Sequence, residues 1–332
     1  MPIPFLKKIF LESSYLTGQY KTQPRIISLV ITNRCNFRCP SCSVWKLPFH
    51  NEMSVEDWNK ILDNLSPITA NTFVEINGGE ALINKDLVVA IVKRLKNISC
   101  CVSLNSNGSL FKDKITNDLA SAGLDYVKIS LYSSNPNIHN KLRGFPMAYE
   151  KAIQAIQLIR NTTIHLQIGI LITSENINYI PKLINHIRKT WPGSNIYLQA
   201  LDESIHSPES KNLNTNILID SLWPSANNSS HFFDYILQNP TFVNNSFKHL
   251  AAMKTYYLQP QSILKHRCLV GQTNIVLDPH GNVSFCFKRR FIGNVLKNNI
   301  LDILNGKTAI QERKDIRTCP KYCRILGCNF NT

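Results

Sequence analysis

Three cysteines lie close together at Cys35, Cys39 and Cys42, directly after an apolar stretch. Thiolates on one short loop can converge on a single iron–sulfur cluster, because such clusters are held by cysteine sulfurs. Three protein ligands leave the fourth iron of a [4Fe–4S] cluster open to a cofactor or substrate, which a structural four-ligand site does not offer. The alternative interpretations are a disulfide with a spare thiol and a zinc site completed from elsewhere in the chain.

A second motif, Gly78, Gly79 and Glu80, follows a strand-like apolar run one strand after the cysteine loop. Alone, two glycines at a strand end indicate only a tight turn. Together, the Cys-x3-Cys-x2-Cys loop and this Gly-Gly-Glu resemble the signature of the radical S-adenosylmethionine (radical SAM) enzymes. The resemblance implies a SAM-binding [4Fe–4S] cluster on the three cysteines and a Gly-Gly-Glu that holds the methionine amino group. Ser41 departs from the family, which often places an aromatic residue there, near the adenine.

Polar residues at the ends of the next predicted strands extend the candidate cofactor site. The family uses polar groups at these places to reach the cofactor's carboxylate or ribose, which makes Asn105 and Ser130 candidates. A turn or a strand-end hydrogen bond is the alternative for both. The segment from His139 to Gly144 resembles the family's His-x3-Arg-Gly segment, so the planar fork of Arg143 is a candidate partner of the cofactor carboxylate. The alternative is a surface arginine beside a C-capping glycine.

The elements that must position these residues alternate between apolar β-rich runs and segments of helical period. This pattern, from Arg25 to Ala200, is typical of consecutive βα units and a parallel sheet. Six strands are predicted, at residues 26–32, 72–76, 100–105, 125–131, 165–173 and 195–200. The resemblance implies an α/β fold, the partial (β/α)6 TIM-like barrel of the radical SAM core. In such barrels chemistry gathers at the C-terminal strand ends, where the candidate residues fall.

A second cysteine-rich part closes the chain. Alternating apolar residues around Asp278-Pro-His-Gly281 predict a hairpin that brings Cys286 back towards Cys268. This part resembles the SPASM and twitch extensions of radical SAM enzymes, although its later cysteines are spaced x3 then x4 rather than x2 then x5. The resemblance implies one auxiliary [4Fe–4S] cluster, held by Cys268, Cys286 and two of Cys319, Cys323 and Cys328. A zinc knuckle is the alternative, because thiolate spacing does not separate zinc from iron.

Length and composition predict how the chain is divided. Its 332 residues, 43% of them hydrophobic, suit one large domain plus a small extension. The predicted parts are an N-terminal segment (1–24), a radical SAM core (25–200), a bridging helical or irregular region (201–261) and an auxiliary-cluster domain (262–332). Ten cysteines in spaced groups, with no secretory segment recognised, predict a cytoplasmic protein. The apolar stretch 3–11 is broken by two lysines, which predicts a docking helix and no stable membrane insertion.

The charge balance gives weak evidence about partners. Lys and Arg outnumber Asp and Glu by 37 to 22, a net charge of +15, which attracts anions. The basic residues are scattered, and no basic stripe interleaved with aromatic residues predicts a nucleic-acid groove. A solvated basic face and an anionic substrate are both compatible with this pattern.

The resemblance implies an enzyme that cleaves S-adenosylmethionine reductively to a 5′-deoxyadenosyl radical, which abstracts hydrogen from a peptide side chain or a small or carrier-bound molecule. It further implies a one-electron donor such as flavodoxin or ferredoxin, and no catalytic group beyond the cluster-bound cofactor. Two alternatives are a non-catalytic two-cluster electron-transfer protein and an RNA-modifying radical SAM enzyme. The Gly-Gly-Glu motif argues against electron transfer alone, which needs no cofactor-binding strand ends.

Overall fold

The computed structural model describes residues 5–98, 100–202 and 221–330. Within them, nine strands form one sheet in the order β6-β5-β4-β3-β2-β1-β7-β8-β9. The six predicted strands are present and run parallel: β1 (Ile26–Val30), β2 (Phe73–Asn77), β3 (Cys101–Ser106), β4 (Tyr126–Ser130), β5 (His165–Leu171) and β6 (Asn195–Gln199). The other three are β7 (Asn274–Leu277), β8 (Asn282–Ser284) and β9 (Gly293–Asn294). The predicted α/β partial barrel with a C-terminal extension is therefore confirmed.

The described residues include twelve α-helices, and those between residues 55 and 190 connect the six predicted parallel strands. Their bounds are α1 (Phe5–Thr17), α2 (Val55–Thr69), α3 (Lys85–Lys96), α4 (Asp113–Ser121), α5 (Pro136–Arg143), α6 (Ala148–Arg160), α7 (Ile180–Thr190), α8 (Ala226–Gln238), α9 (Phe247–Leu258), α10 (Val270–Thr273), α11 (Ile300–Asn305) and α12 (Lys307–Arg317). The predicted capping box opens α2: the Ser54 hydroxyl accepts from the Asp57 amide, and the Asp57 carboxylate accepts from the Ser54 amide. Strand residues such as Ile27, Leu29 and Val74 are fully buried in the core.

The strands begin and end within two residues of the predicted positions. β1 stops at Val30 rather than at the predicted Thr32, because the chain turns there into the cysteine loop. The Ile31 amide still donates to the Asn77 carbonyl, at 2.8 Å, and so holds the strand end against β2. The carboxyl ends of the parallel strands therefore share one rim of the sheet, where the candidate residues were expected.

The predicted C-terminal hairpin is present, and it continues the core sheet. β7 and β8 pair antiparallel, as predicted. β7 also pairs parallel with β1, in the register Ile26 to Asn274 through Leu29 to Leu277. This pairing was not predicted. As a result β1, which leads into the cysteine loop, is an inner strand between β2 and β7.

The predicted docking helix corresponds to α1, which packs against α12. The Arg313 guanidinium donates to the Gly18 carbonyl at 3.0 Å, and the Arg317 guanidinium donates to the Leu16 carbonyl at 3.1 Å. In the bridging region, α8 and α9 pack together, and the Tyr257 hydroxyl of α9 donates to the Ile172 carbonyl of the core. Residues 1–4 and 203–220 of these predicted segments lie outside the described residues. Among the described helices, none is both long and apolar enough to cross a membrane.

Candidate active site

One cavity of about 890 Å³ lies inside the curved sheet, against the rim formed by the carboxyl ends of its strands. All eight cysteines predicted as cluster ligands line it, and all eight are free thiols: Cys35, Cys39, Cys42, Cys268, Cys286, Cys319, Cys323 and Cys328. The two cysteine groups are far apart in sequence and yet share one space. The cavity is thus a single compartment with a thiol-rich wall from the loop after β1 and another from the C-terminal part.

Two glycines outside the cysteine loop allow its backbone to approach closely. A Cβ atom on Gly79 would lie 2.3 Å from the Arg34 carbonyl oxygen, and one on Gly144 would lie 2.2 Å from the Arg38 carbonyl oxygen. Gly144 also has a φ of +59°, the left-handed conformation of a helix C-cap. Both glycines are therefore required by the path of the loop, which rests on the ends of β2 and α5.

Hydrogen bonds fix the start of the cysteine loop. The Glu52 carboxylate accepts from the Thr32 hydroxyl and the Asn33 amide, each at 2.7 Å. The Gly79 amide donates to the Thr32 carbonyl at 2.8 Å, and the Glu80 amide donates to the Arg34 carbonyl at 2.8 Å. The sequence did not single out Glu52, whose role depends on a contact across the turn before α2. The loop is held on both sides, so its thiols keep a fixed position at the cavity wall.

The three thiols of this loop sit among apolar groups. Phe37 and Phe145 stack with ring centroids 4.5 Å apart, and Ala148 packs beside them. Burial raises the pKa of the Cys42 thiol to about 11, and burial also raises that of Cys35. A free thiol here is therefore protonated at neutral pH, and a bound metal would have to displace the proton. Three such thiols are a donor set that an iron–sulfur cluster accepts.

The Gly-Gly-Glu motif ties the strand ends together. The Glu80 carboxylate is buried and accepts from the Leu82 amide, the Ser106 hydroxyl and the Asn107 amide, at 3.1, 2.9 and 2.8 Å. Burial raises the pKa of this carboxyl, and the hydrogen bonds oppose that effect. Among the three residues of the motif, Gly79 is the one that lines the cavity.

Asn105 and Ser130 end up in different environments. Asn105 lines the cavity and donates to the Asn77 side chain, while its own carbonyl oxygen is buried without a partner among the described residues. Ser130 does not line the cavity; its hydroxyl hydrogen-bonds the hydroxyl of Tyr132. The structure thus brings Asn105, and not Ser130, to the cavity surface.

Arg143 is only 8% exposed, so its interpretation as a surface arginine is wrong. Its guanidinium donates to the Tyr132 hydroxyl at 2.9 Å and lies over the ring of Phe37. Burial alone would lower the pKa of Arg143, but the neighbouring thiols, Cys39 first, raise it, so the side chain remains a cation. Its Nε is buried without a partner in the described chain, and the residue lines the cavity. An unsatisfied buried cation at a cavity wall suits an anionic ligand group.

The five C-terminal cysteines line the opposite part of the cavity. Burial raises the pKa of Cys286 to about 12 and also raises that of Cys268, Cys323 and Cys328. Lys288 and Asp202 form an ion pair at 2.7 Å beside them, with both side chains 6% exposed. In the chain as described, no group of three or more His, Cys, Asp or Glu residues is arranged to hold a metal ion.

Comparison with known proteins accounts for both cysteine groups. Residues 29–187 match the radical SAM superfamily, and residues 268–329 match SPASM, an iron–sulfur cluster-binding domain. The chain belongs to the radical SAM superfamily. The PqqA peptide cyclase of Bradyrhizobium diazoefficiens is 27% identical over 176 residues, which are 52% of this chain and 46% of the relative. A probable GTP 3′,8-cyclase of Methanopyrus kandleri is 29% identical over 165 residues, 49% and 52% of the two chains. This radical SAM chain spans about half the length of the curated relatives that it matches.

Solved structures share the radical SAM fold over most of the chain. Streptococcus suis SuiB bound to S-adenosylmethionine has a TM-score of 0.68 at 14% identity, covering 92% of this chain and 71% of SuiB. The anSMEcpe protein with bound AdoMet has a TM-score of 0.64 at 15% identity, covering 91% and 88%. At these identities the likeness concerns the fold. It extends through the C-terminal part as well as through the radical SAM barrel.

Sequence reasoning missed the polar residues on the inner wall of the radical SAM barrel. Glu75, Lys128, Gln167 and Tyr197 line the cavity from β2, β4, β5 and β6. Each stands between apolar neighbours in its strand, so alternate positions face opposite sides of the sheet. This alternation of polar and apolar residues was the signal that could have found them. Trp45, which also lines the cavity, carries no comparable sequence signal.

Proposed function

We propose that this radical SAM chain binds a [4Fe–4S] cluster on Cys35, Cys39 and Cys42 and S-adenosylmethionine beside it. The observation that carries the proposal is the shared cavity, whose wall combines these thiols with Gly79 and the unsatisfied Arg143 guanidinium. When bound, the cluster and cofactor supply one-electron cleavage of a carbon–sulfur bond and hydrogen abstraction from an unactivated carbon. A separate one-electron donor, such as flavodoxin or ferredoxin, would provide the electron.

The protein's own groups bind and orient the cofactor in this proposal. Arg143 pairs with the cofactor carboxylate, because it offers a buried cation with an unused donor. Gly79 faces the methionine amino group with its backbone, while Glu80 holds the ends of β2 and β3 in place through its three hydrogen bonds. Asn105 offers its unpartnered carbonyl oxygen to the ribose or amino group. Ser130 would act only through Tyr132.

We also propose that the C-terminal part holds one auxiliary [4Fe–4S] cluster on Cys268, Cys286 and two of Cys319, Cys323 and Cys328. The five free thiols that line this part of the cavity support this, because such clusters are held by cysteine sulfurs. Their location on the cavity supports a role next to the substrate rather than at a remote structural site. The predicted division into four parts stays a prediction, with the bridging region forming part of the cavity wall through Asn245 and His249.

A peptide segment is the substrate class that we propose. SuiB has been solved with its precursor peptide SuiA, anSMEcpe with the Cp18Cys peptide, and the curated cyclase is named for a peptide. A cavity of about 890 Å³ that also houses cofactors leaves room for a side chain or a short segment, not for a folded domain. Because one relative is named a probable GTP 3′,8-cyclase, a nucleotide is the competing small-molecule candidate for the substrate.

The test is anaerobic reconstitution with iron and sulfide, followed by metal counting and a dithionite-driven assay for 5′-deoxyadenosine. Two clusters require about eight irons per chain, and we expect that number together with cofactor cleavage. About four irons plus zinc, with cleavage, would replace the auxiliary cluster by a zinc site. Clusters without cleavage would favour electron transfer instead.

Matched variants assign the activity to the cysteine loop. Changing Cys35, Cys39 and Cys42 to Ala is expected to abolish 5′-deoxyadenosine formation and to leave the C-terminal iron in place. Cys100→Ser is the control, because the Cys100 thiol is buried outside the cavity and donates to the Thr69 carbonyl. Cleavage that persists in the triple variant would refute the mechanism. Steeply salt-dependent RNA binding by the wild type would favour the RNA-modifying alternative.

A further inference from the structure

The inner wall of the barrel carries a cation that no described protein group neutralises. Lys128 on β4 is half-buried and lines the cavity. It makes neither an ion pair nor a hydrogen bond with any residue that the structure describes. Its ammonium nitrogen lies 5.7 Å from the centroid of the Tyr197 ring, in a cation–π contact. A partly desolvated ammonium without an opposite charge is costly, so a ligand that supplies the charge stabilises it.

Two neutral donors flank this ammonium and also lack partners. Gln167 lies directly opposite Lys128 in the β4–β5 register, and it is 6% exposed. Its amide has no hydrogen bond to any described residue, which is unusual for a side chain buried to this degree. Tyr197 lies on β6, and its hydroxyl is likewise unpartnered over the described ranges; burial raises the pKa of Tyr197, which keeps that hydroxyl a donor. We call Lys128, Gln167 and Tyr197 the donor triad.

Space for a ligand group exists beside the donor triad. Gly169, the neighbour of Tyr197 in the β5–β6 register, places no side chain there. A Cβ atom on Gly169 would lie in ordinary contact with the Gln199 side chain at 3.4 Å and with Lys128 Cδ at 3.6 Å. The glycine thus leaves a gap of about one methyl group between the Lys128 stem and Gln199, both of which line the cavity.

Three other cations that line the cavity already have partners. Lys288 pairs with Asp202, Arg289 pairs with Glu312, and Arg143 bonds Tyr132 at the cysteine loop. An acid of the inner wall, Glu75, is two strands away on β2, and its carboxylate accepts from the Ser28 hydroxyl. Glu75 raises the pKa of Cys328 and so lies towards the C-terminal cysteines, away from the donor triad. On the described strands that line the cavity, Lys128 is therefore the cation without an ion pair.

We infer that the donor triad binds the carboxylate of the substrate, an acidic side chain of the peptide segment, and so anchors it beside the cysteine loop. This inference rests on the proposed function for the peptide. One cation with two neutral donors matches a monoanion, and a phosphate dianion would leave one negative charge uncompensated at the wall. The net charge of +15 assists the approach of such a substrate.

The experiment measures binding to the reconstituted full-length protein with S-adenosylmethionine present. The probes are N-acetylglutamate N-methylamide, its glutamine analogue and methyl phosphate, titrated by calorimetry or ligand-observed NMR. We expect the glutamate probe to bind about tenfold more tightly than the glutamine probe, because it adds a charge-assisted hydrogen bond. Lys128→Gln is expected to reduce this preference to within about twofold, and Lys128→Arg to retain it. Lys114→Gln, at an exposed lysine of α4, is the matched control and keeps the full preference.

Four results would overturn the inference. The first three are equal binding of the glutamate and glutamine probes, no binding of the glutamate probe at about 10 mM, and a preference that is unchanged in Lys128→Gln. Tighter binding of methyl phosphate would replace the carboxylate by a phosphate ligand and would also refute it. Iron content and thermal unfolding of each variant show whether it folds. The 5′-deoxyadenosine assay on the same preparation reports separately on the proposed function. A failure of the carboxylate inference is therefore distinguishable from a failure of the proposed function.

Discussion

Single residues outside the cysteine loop determine where its thiols lie. Gly79 and Gly144 allow the loop backbone to pass closer than any side chain would permit, and Glu52 fixes its first residues. Both glycines belong to motifs that are visible in the sequence. Gly79 was predicted as part of the cofactor site, and Gly144 as the end of a His-x3-Arg-Gly segment or as a C-capping glycine. The structure adds a steric reason for them. Glu52 carries no such motif, because its contact depends on how the segment before α2 folds back.

Gly79→Ala is predicted to empty the cluster site of the cysteine loop. The new Cβ would lie 2.3 Å from the Arg34 carbonyl, so the loop backbone must move away from β2. We expect the reconstituted protein to lose about half of its iron, the share of one cluster in two. Gly169→Ala is the control for iron content, since its Cβ makes ordinary contacts. Wild-type iron in Gly79→Ala would contradict the steric argument.

His139→Asn is predicted to remove part of the pH dependence of stability. Burial first, and then the Arg143 cation, lower the pKa of His139 to about 3, and its Nδ1 accepts from the Tyr132 amide at 3.0 Å. Between the ordinary value near 6.5 and pH 3 the unfolded chain binds a proton that the folded chain does not, so stability falls as the pH falls. From pH 7.5 to 5.5 this group contributes a loss of about 1.4 kcal/mol.

Urea unfolding of the wild type and His139→Asn at these two pH values measures the effect. The Asn side chain can accept the same hydrogen bond without titrating, so the variant should lack that part of the decrease. Other histidines, such as His249, contribute equally to the pH dependence of stability in both proteins. Identical pH dependence in the two proteins would show that His139 is not the titrating group.

At the scale of elements, local sequence patterns were sufficient to predict the strands of the barrel. They were insufficient to predict which distant segments of the chain pack against one another. Alternation and helical period predicted six strands to within two residues, and the capping box predicted the start of α2, because these signals are local. The pairing of β7 with β1 left no local signal, since it joins segments from opposite ends of the chain. The packing of α1 on α12 was expected only as a docking helix without a named partner.

Arg313→Met is predicted to destabilise the contact between α1, α10 and α12. The Arg313 guanidinium donates to the carbonyls of Gly271, Gly18 and Leu304, and burial lowers its pKa to about 10. Methionine fills similar volume but leaves three buried acceptors without donors. We expect the free energy of unfolding to fall by about 3 kcal/mol.

Arg317→Met is the matched control on the same helix, because Arg317 is half-buried and makes a solvent-exposed hydrogen bond to the Leu16 carbonyl at 3.1 Å. Its expected change in the free energy of unfolding is within about 0.5 kcal/mol. Chemical denaturation of both variants under identical conditions measures the difference. A smaller loss in Arg313→Met than in Arg317→Met would show that these buried carbonyls find other donors.

At the scale of the whole molecule, the barrel and the C-terminal part share one sheet and one cavity. β1 receives backbone hydrogen bonds from β2 on one side and β7 on the other. The two cysteine groups face each other across the space that this sheet encloses. We therefore expect the C-terminal part to be needed for the folding of the barrel, in addition to any role in chemistry.

A chain cut after residue 261 is predicted to lose the iron of both sites and to aggregate. Without β7, β1 becomes an edge strand with unpaired backbone groups, which invites pairing between chains. The full-length variant Cys268→Ala with Cys286→Ala is the control, since it removes ligands and keeps the strand pairing. We expect that variant to stay soluble and retain about half of the iron. Iron analysis and size-exclusion chromatography of both proteins test this prediction. A soluble, iron-loaded truncated chain would contradict it.

The pairing of β1 with β7 also sets an order of events during synthesis. Ile26 and Asn274 face each other across the two strands and are about 250 residues apart. The strand that leads into the cysteine loop leaves the ribosome about 250 residues before β7, one of its two neighbours. The sheet that supports the loop is therefore incomplete until β7 has been made, and we expect cluster delivery to follow that step.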